Sequence, residues 1–143
     1  MKPLAWLRTV VIFLTFTSGV AWADELLIYV SPTGNDARSG ESKSAAVASI
    51  QRAVSLAETA DPGSTRVRIL LLPGVYLAQR FETAGNPNGL PILITTGRGG
   101  RAVFDGNGQG GTWMVLRPSG SHPANIILDG VDVKNYVTAI GIT

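Results

Sequence analysis

The chain contains no cysteine, and this absence excludes the disulfide frameworks that many small exported domains use to offset a small core. Its stability must therefore come from packed aliphatic side chains and backbone hydrogen bonds. Histidine is nearly absent as well, since His122 is the single one and lies in a polar loop before a proline. This leaves no second histidine for a metal pair, and a lone histidine in a loop is typical of a solvent-facing position rather than a catalytic one.

An excess of positive charge is also lacking once the first 23 residues are set apart. Those residues combine a basic start, at Lys2 and Arg8, with an apolar run and the ending Ala-Trp-Ala. The pattern predicts a signal peptide over residues 1–23 and a secreted or periplasmic protein. The alternative, a membrane anchor, is disfavoured because the apolar run is too short to span comfortably, so we expect no stable membrane span after cleavage.

Cleavage after Ala23 changes the charge balance. The full chain has 12 Lys and Arg against 10 Asp and Glu, and the two lost cations leave ten of each. No basic patch remains to indicate nucleic acid as a partner. Arg66 and Arg68 flank a strand and Arg98 and Arg101 flank a turn, a pattern typical of solvated faces.

Helical periodicity is confined to one segment. After a predicted strand at Leu26–Val30 and a loop rich in Ser, Gly and Asn, apolar residues recur at helical spacing between Ala45 and Ala60, with Ser44 as the expected N-cap. The apolar stripe is narrow, which indicates a helix that covers another element. We therefore predict an N-terminal cap of strand, loop and helix over residues 24–63.

From residue 64 onwards, short β-prone runs follow one another, each closed by Gly, Pro or Asn. "ILLLPG" at Ile69 is echoed by "ILITTG" at Ile92, 23 positions later, and "FDG" at Phe104 by "LDG" at Leu128, 24 positions later. A repeat of this length predicts a solenoid, in which each turn lays a strand on the previous one. A sandwich or meander is the alternative that this pattern alone leaves open.

Four segments, taken in order, form a recognisable series. They are "YVSPTGNDARSGES" from Tyr29, "ASIQRAVSLAETADPGSTRVRILLLPGVY" from Ala48, "GLPILITTGRGGRAVFDGNG" from Gly89 and "ANIILDGVDVKN" from Ala124. The series resembles the N-terminal region of right-handed parallel β-helix proteins of the pectate-lyase-like group. The resemblance implies an all-β fold in which residues 64–143 form the first coils of a right-handed parallel β-helix.

The same resemblance implies a function class. Members of the group are lyases, hydrolases and epimerases that act on polysaccharides, some with calcium held between carboxylates. They carry their catalytic side chains several coils in, so we expect these 143 residues to be a truncated or partial chain that lacks the catalytic coils, with calcium possible in a longer parent. The alternatives are a non-enzymatic surface or adhesion β-helix that binds glycans, and a non-functional truncated product. An uncapped last coil would also allow self-association.

Three aspartates are the candidates for chemistry. Asp129 and Asp132 lie three positions apart and could supply acid–base catalysis, while Asp105 and Asp129 occupy equivalent points of the period and could stack to bind a metal. If Val131 and Val133 point inward, Asp132 shares the outer face of its strand with Lys134. The alternative for Asp105 and Asp129 is that Asp-Gly simply closes a turn, which is the more common role.

Aromatic residues supply a second set of candidates. Tyr76, Trp113 and Tyr136 could stack on sugar rings, although packing against the core is the more common role for each.

Overall fold

The computed structural model describes residues 25–61, 63–64, 66–118 and 123–143. The predicted signal peptide and His122 lie outside the described residues.

Within those ranges the chain is predominantly β, with one short α-helix. The helix α1 spans Ile50–Glu58, and a single 3₁₀ turn at Lys43–Ala45 precedes it. The strands are β1 (Glu25–Val30), β2 (Arg66–Leu71), β3 (Gly74–Leu77), β4 (Phe81–Thr83), β5 (Ile92–Thr96), β6 (Ala102–Asp105), β7 (Thr112–Leu116), β8 (Ile126–Asp129), β9 (Val131–Lys134) and β10 (Thr138–Ile142).

The strands form three sheets in which every pairing is parallel. The first sheet has the order β1-β2-β5-β8, the second β3-β6-β9 and the third β4-β7-β10. From β2 onwards, consecutive strands belong to the first, second and third sheet in turn. The strands β5, β6 and β7 therefore pair alongside β2, β3 and β4, and β8, β9 and β10 pair alongside β5, β6 and β7. The expectation of an all-β chain is confirmed, and the parallel sheets are compatible with stacked coils.

The register of these pairings corrects the predicted period. Ile69 pairs with Ile94, 25 positions later, rather than with Ile92. The echo of "FDG" by "LDG" joins two different sheets, because Phe104 lies in β6 and Leu128 in β8. The loops between consecutive strands differ in length, so a fixed spacing in the sequence does not correspond to the register of the paired strands.

The interior consists of rows of similar side chains stacked from strand to strand. Parallel strands covered on their inner face favour such aliphatic and aromatic rows. The rings of Tyr76 and Phe104 stack with centroids 4.8 Å apart, and Trp113 contacts Phe104 and Phe81. One row from each sheet illustrates the pattern: Ile28, Ile69, Ile94 and Leu128; Tyr76, Phe104 and Val133; and Phe81, Met114 and Ile140.

The corner between the first and second sheets lies at Pro73-Gly74, a residue pair typical of turns. Gly74 has a φ of 147°, and a Cβ placed there would come within 2.7 Å of the Pro32 ring. Only glycine fits this corner without displacing the loop that follows β1.

The helix is shorter than predicted and begins at a different cap. Ser49, not Ser44, is the N-cap of α1, and its hydroxyl accepts the N–H of Arg52. Val47 cannot be helical because it is extended and bridges Val30 of β1. The apolar side chain that suggested an earlier start therefore belongs to the edge of the first sheet.

Side-chain amides join the helix region to β4 and to the segment just before it. Gln79 accepts the N–H of Ile50 and donates to the carbonyl of Ala48, and Gln51 accepts the N–H of Glu82 in β4 and donates to its carbonyl. The bonds of Gln51 satisfy edge groups of β4 that another strand would otherwise pair, and the bond to Ile50 satisfies a free N–H in the first turn of α1. The buried face of α1 thus covers the interior while its polar side chains cover the strand edge.

Candidate functional site

The structure separates Asp105 and Asp129, which the predicted period had stacked. Asp105 ends β6 and is in register with Lys134, whereas Asp129 ends β8 and is in register with Thr95. The expectation that the two carboxylates lie one rung apart is wrong, because they belong to different sheets.

Asp105 closes a turn. Its carboxylate accepts the backbone N–H of Asn107 at 2.9 Å and the side-chain amide of Asn135 at 2.8 Å, and Lys134 Nζ lies 3.2 Å away. The Asn135 hydrogen bond, then the bond from Asn107, hold the pKa of Asp105 below its usual range. A carboxylate satisfied in this way stabilises the turn by local hydrogen bonds.

Asp132 and Lys134 do lie together on the outer face of β9, since Val131 and Val133 pack towards the interior. Asp132 forms an exposed ion pair with Arg101, at 2.8 Å. Within the described ranges, no three Asp, Glu or His side chains are grouped so as to hold a metal ion. The catalytic role of Asp129 and Asp132 and the metal role of Asp105 and Asp129 remain predictions.

The aromatic candidates are core residues. Tyr76 and Trp113 are almost fully buried, so neither can present a ring to a ligand from its place in the interior. Tyr136 is half-buried, and its hydroxyl donates to the carbonyl of Gln79.

A groove on the outer face of the first sheet brings together residues that the sequence pattern did not connect. It has a volume of about 460 Å³. Its lining residues are Tyr29, Lys43, Arg68, Leu70, Leu72, Thr95, Thr96, Gly97 and Arg98. We refer to it as the first-sheet groove.

Strand register builds the floor of this groove. Tyr29, Leu70 and Thr95 face outward at matched positions of β1, β2 and β5, so they form one row across the sheet. Lys43 comes from the 3₁₀ turn before the helix, and Arg98 from the turn after β5. Alternation within β2 could have placed Arg68 on the outer face from the sequence, but no sequence signal places Lys43 beside it.

Charge in the first-sheet groove is predominantly positive. Arg68 lies within β2, not at its flank, and its Nε is 3.0 Å from a carboxylate oxygen of Glu25, which also contacts Arg66 at 2.7 Å. One carboxylate is thus shared by two guanidinium groups. Lys43 and Arg98 are exposed and add two further positive charges.

A second groove, of about 500 Å³, lies on the third sheet. Its lining residues are Gln51, Arg80, Phe81, Glu82, Thr112 and Val115. Three of its polar side chains already have partners: Glu82 pairs with Arg117 at 2.9 Å, Arg80 donates to the carbonyl of Gly110, and Gln51 bonds the backbone of β4. The hydrogen bond from Arg117 holds the pKa of Glu82 below its usual range. This groove therefore offers fewer groups to a ligand than the first-sheet groove.

The described part of the chain contains no helix long and apolar enough to cross a membrane. A scan against models of known protein families gives no match, and a search of curated proteins gives no significant match.

Proposed function

We propose that this chain forms the capped N-terminal coils of an exported right-handed parallel β-helix protein that engages polysaccharide. The single observation that carries the proposal is the strand order. From β2 onwards, consecutive strands belong to the first, second and third parallel sheet in a repeating order. The resemblance to the pectate-lyase-like group supplies the ligand class.

In this proposal the described coils bind polysaccharide and do not cleave it. Asp105 stabilises a turn, and Asp132 is paired with Arg101. Acid–base cleavage of a polysaccharide needs a carboxylate or a base that can exchange a proton with the sugar. Asp132 is one of the two catalytic candidates, and its pairing with Arg101 favours the second candidate from the sequence, a glycan-binding β-helix, over cleavage within these coils.

The test uses residues 24–143, prepared by export so that cleavage after Ala23 is itself checked by the N-terminal sequence. Affinity electrophoresis through gels that contain a panel of neutral and acidic polysaccharides measures binding. Reducing-end and ultraviolet assays, each with and without calcium, measure cleavage.

Retardation by at least one polysaccharide, with no product formed, is the expected result. Product formation that is abolished by Asp129→Ala or Asp132→Ala would overturn the assignment of binding without cleavage. Unretarded migration through the whole panel would overturn the polysaccharide proposal.

A further inference from the structure

The first-sheet groove collects cations from three separate parts of the chain. Lys43 lies in the 3₁₀ turn before α1, Arg68 lies in β2, and Arg98 follows β5. Like charges repel when they are gathered, so a convergence of three cations is unfavourable unless it is compensated. Glu25 compensates Arg68 in part, but it is shared with Arg66.

The net charge of this region stays positive when the charged groups beside the lining residues are counted. The cations are Arg66, Arg68, Lys43, Arg98 and Arg38, which bonds the carbonyl of Ser44, and the carboxylates are Glu25, Glu41 and Asp129. The balance is two positive charges in excess. The mature chain as a whole is formally neutral, so this excess is a local property of one face.

The floor of the groove is suited to a ring. Tyr29 is half-buried with Leu70 beside it in the same row, which provides an aromatic and aliphatic surface beneath the cations. Backbone hydrogen bonds fix the position of Tyr29. Its N–H donates to the carbonyl of Gly40 at 2.7 Å, and its carbonyl accepts the N–H of Val47 at 3.0 Å. A preformed surface lowers the entropy lost on binding.

Hydrogen-bond donors surround this floor. Thr95 and Thr96 line the groove beside Arg68, although the Thr96 hydroxyl already donates to the carbonyl of Gly130 at 2.6 Å. Arg68 contacts Glu25 through Nε, and its terminal nitrogens carry the remaining N–H donors. A volume of about 460 Å³ lies within the range of small-ligand sites, roughly 300–1,000 Å³.

We propose that the first-sheet groove binds one anionic saccharide unit, with the carboxylate or sulfate group on Lys43, Arg68 and Arg98 and the sugar ring over Tyr29 and Leu70. The proposal rests on the proposed function and narrows it to a site and a ligand charge. Guanidinium groups bind planar or tetrahedral oxyanions through two parallel hydrogen bonds, and the ammonium group of Lys43 adds a mobile positive charge.

Three polymers with one backbone test the charge requirement. Dextran is neutral, carboxymethyl-dextran carries carboxylates and dextran sulfate carries sulfates. Binding of residues 24–143 to each is measured by affinity electrophoresis at low salt and at physiological salt. We expect binding to one or both charged polymers, with affinity that falls as salt rises, and no binding to dextran. The charged polymer that binds more tightly identifies the source of the anion.

Two double variants locate the site. Lys43→Gln with Arg98→Gln removes two positive charges from the groove, and Arg101→Gln with Lys134→Gln removes two from the outer face of the second sheet. All four side chains are exposed, so both variants should fold, which thermal melting verifies. We expect the groove variant to bind the charged polymer about tenfold more weakly or worse, and the second-sheet variant to stay within about twofold of the parent chain.

Equal losses in the two variants, or no loss in the groove variant, would overturn the site. Binding to dextran as tight as to the charged polymers would overturn the anionic ligand while leaving polysaccharide engagement intact. Failure to bind any of the three polymers would overturn the anionic site, and the wider panel described above then decides the proposed function separately.

Discussion

Asp36 ties the loop after β1 to the start of the helix. One carboxylate oxygen accepts the N–H groups of Ala48 and Ser49, each at 2.8 Å, and the other accepts the Ser49 hydroxyl at 2.7 Å. Burial raises the pKa of Asp36, but these hydrogen bonds outweigh it, so the pKa lies below its ordinary value. A carboxyl group with a lowered folded pKa stabilises the fold above its unfolded pKa.

The expected pH dependence follows from that direction. The contribution of Asp36 is present above its unfolded pKa of about 4 and is lost as pH falls through the lower folded value. Asp36→Asn keeps an oxygen acceptor for the two N–H groups and removes the titration. Urea unfolding at a series of pH values should therefore show the parent chain losing its advantage over Asp36→Asn below about pH 4. An advantage that stays constant down to pH 2 would contradict this role.

Tyr76 holds the end of β2 to the interior. Its hydroxyl donates to the carbonyls of Leu72, at 2.7 Å, and Val30, at 3.1 Å. Tyr76→Phe keeps the ring stack with Phe104 and removes this donor, which should lower the free energy of unfolding by about 1–2 kcal/mol in denaturant titrations.

The same residue predicts an effect at alkaline pH. Burial raises the pKa of Tyr76 above its ordinary value, so its contribution is present below about pH 10 and declines as pH rises further. The difference in stability between the parent chain and Tyr76→Phe should shrink above that pH, and a difference that grows would count against the buried hydroxyl.

Single residues also show where sequence reasoning reached its limit. The turn role of Asp105 was available as an alternative, because an aspartate before glycine commonly bonds its own backbone. The groove position of Lys43 was not available, since it depends on a 3₁₀ turn that folds back over β1 and β2. The hydrogen bonds of a turn depend on a few neighbouring residues, whereas the distant residues that surround a side chain depend on the whole fold.

Gln79, in the segment before β4, holds the start of the helix through two hydrogen bonds. Gln79→Ala leaves the N–H of Ile50 and the carbonyl of Ala48 without their side-chain partner. Because Ile50 is fully buried, we expect a loss of about 1–3 kcal/mol in the free energy of unfolding.

Gln109→Ala is the matched control for this change. Gln109 is exposed in the glycine-rich turn after β6, so its loss should stay within about 0.5 kcal/mol. Chemical denaturation of the two variants side by side measures the difference, and equal stability would show that the amide does not hold the helix in place.

At the level of elements, the sequence predicted the presence of strands and of the helix better than the residues at which they begin and end. The predicted strand at Leu26–Val30 and the predicted helix between Ala45 and Ala60 are both present, as β1 and α1. The start of the helix was misplaced because Val47 fits both a helical stripe and a strand edge. Only the bridge to Val30, which closes a loop between β1 and the helix, decides between them.

Among the described residues, some side chains of the interior rows are exposed on the last three strands. Ile140 and Ile142 continue the interior row of Met114 and Leu116, yet Ile142 is 73% exposed. In the described sheets, these three strands form the edge away from the helix. Exposed edges with apolar side chains favour pairing with another chain.

We therefore predict self-association of residues 24–143 through this edge. Ile142→Lys places a charge in the exposed row and should shift sedimentation towards the monomer. Leu77→Lys, at an outward position of β3 that is 60% exposed, should leave the distribution unchanged. A parent chain that sediments as a monomer at all concentrations would contradict the prediction.

At the scale of the whole molecule, stacking of short strands was predictable and their register was not. The apolar runs closed by turn residues indicated the strands, but the loops that connect them vary in length. Ile92 pairs with Val67, and the 23-residue echo would have paired it with Ile69. The register depends on which side chains fill the interior, and the similarity of two short apolar segments does not determine it.

Strand register across β2 and β5 is the most direct test of the stacked coils. The chain has no cysteine of its own, so a pair can be introduced without interference. Leu70 and Thr95 are in register and face outward, which places their Cα atoms about 4.8 Å apart, within the range that a disulfide accepts. Leu70 and Leu93, which the 23-residue period would pair, are about 8 Å apart by the same strand geometry, beyond that range.

Oxidation of the two double-cysteine variants at high dilution, followed by mass spectrometry of the monomer, gives the measurement. Stacked coils predict an intramolecular disulfide in Leu70→Cys with Thr95→Cys and free thiols in Leu70→Cys with Leu93→Cys. The opposite result, or free thiols in both folded variants, would contradict the parallel register on which the account depends.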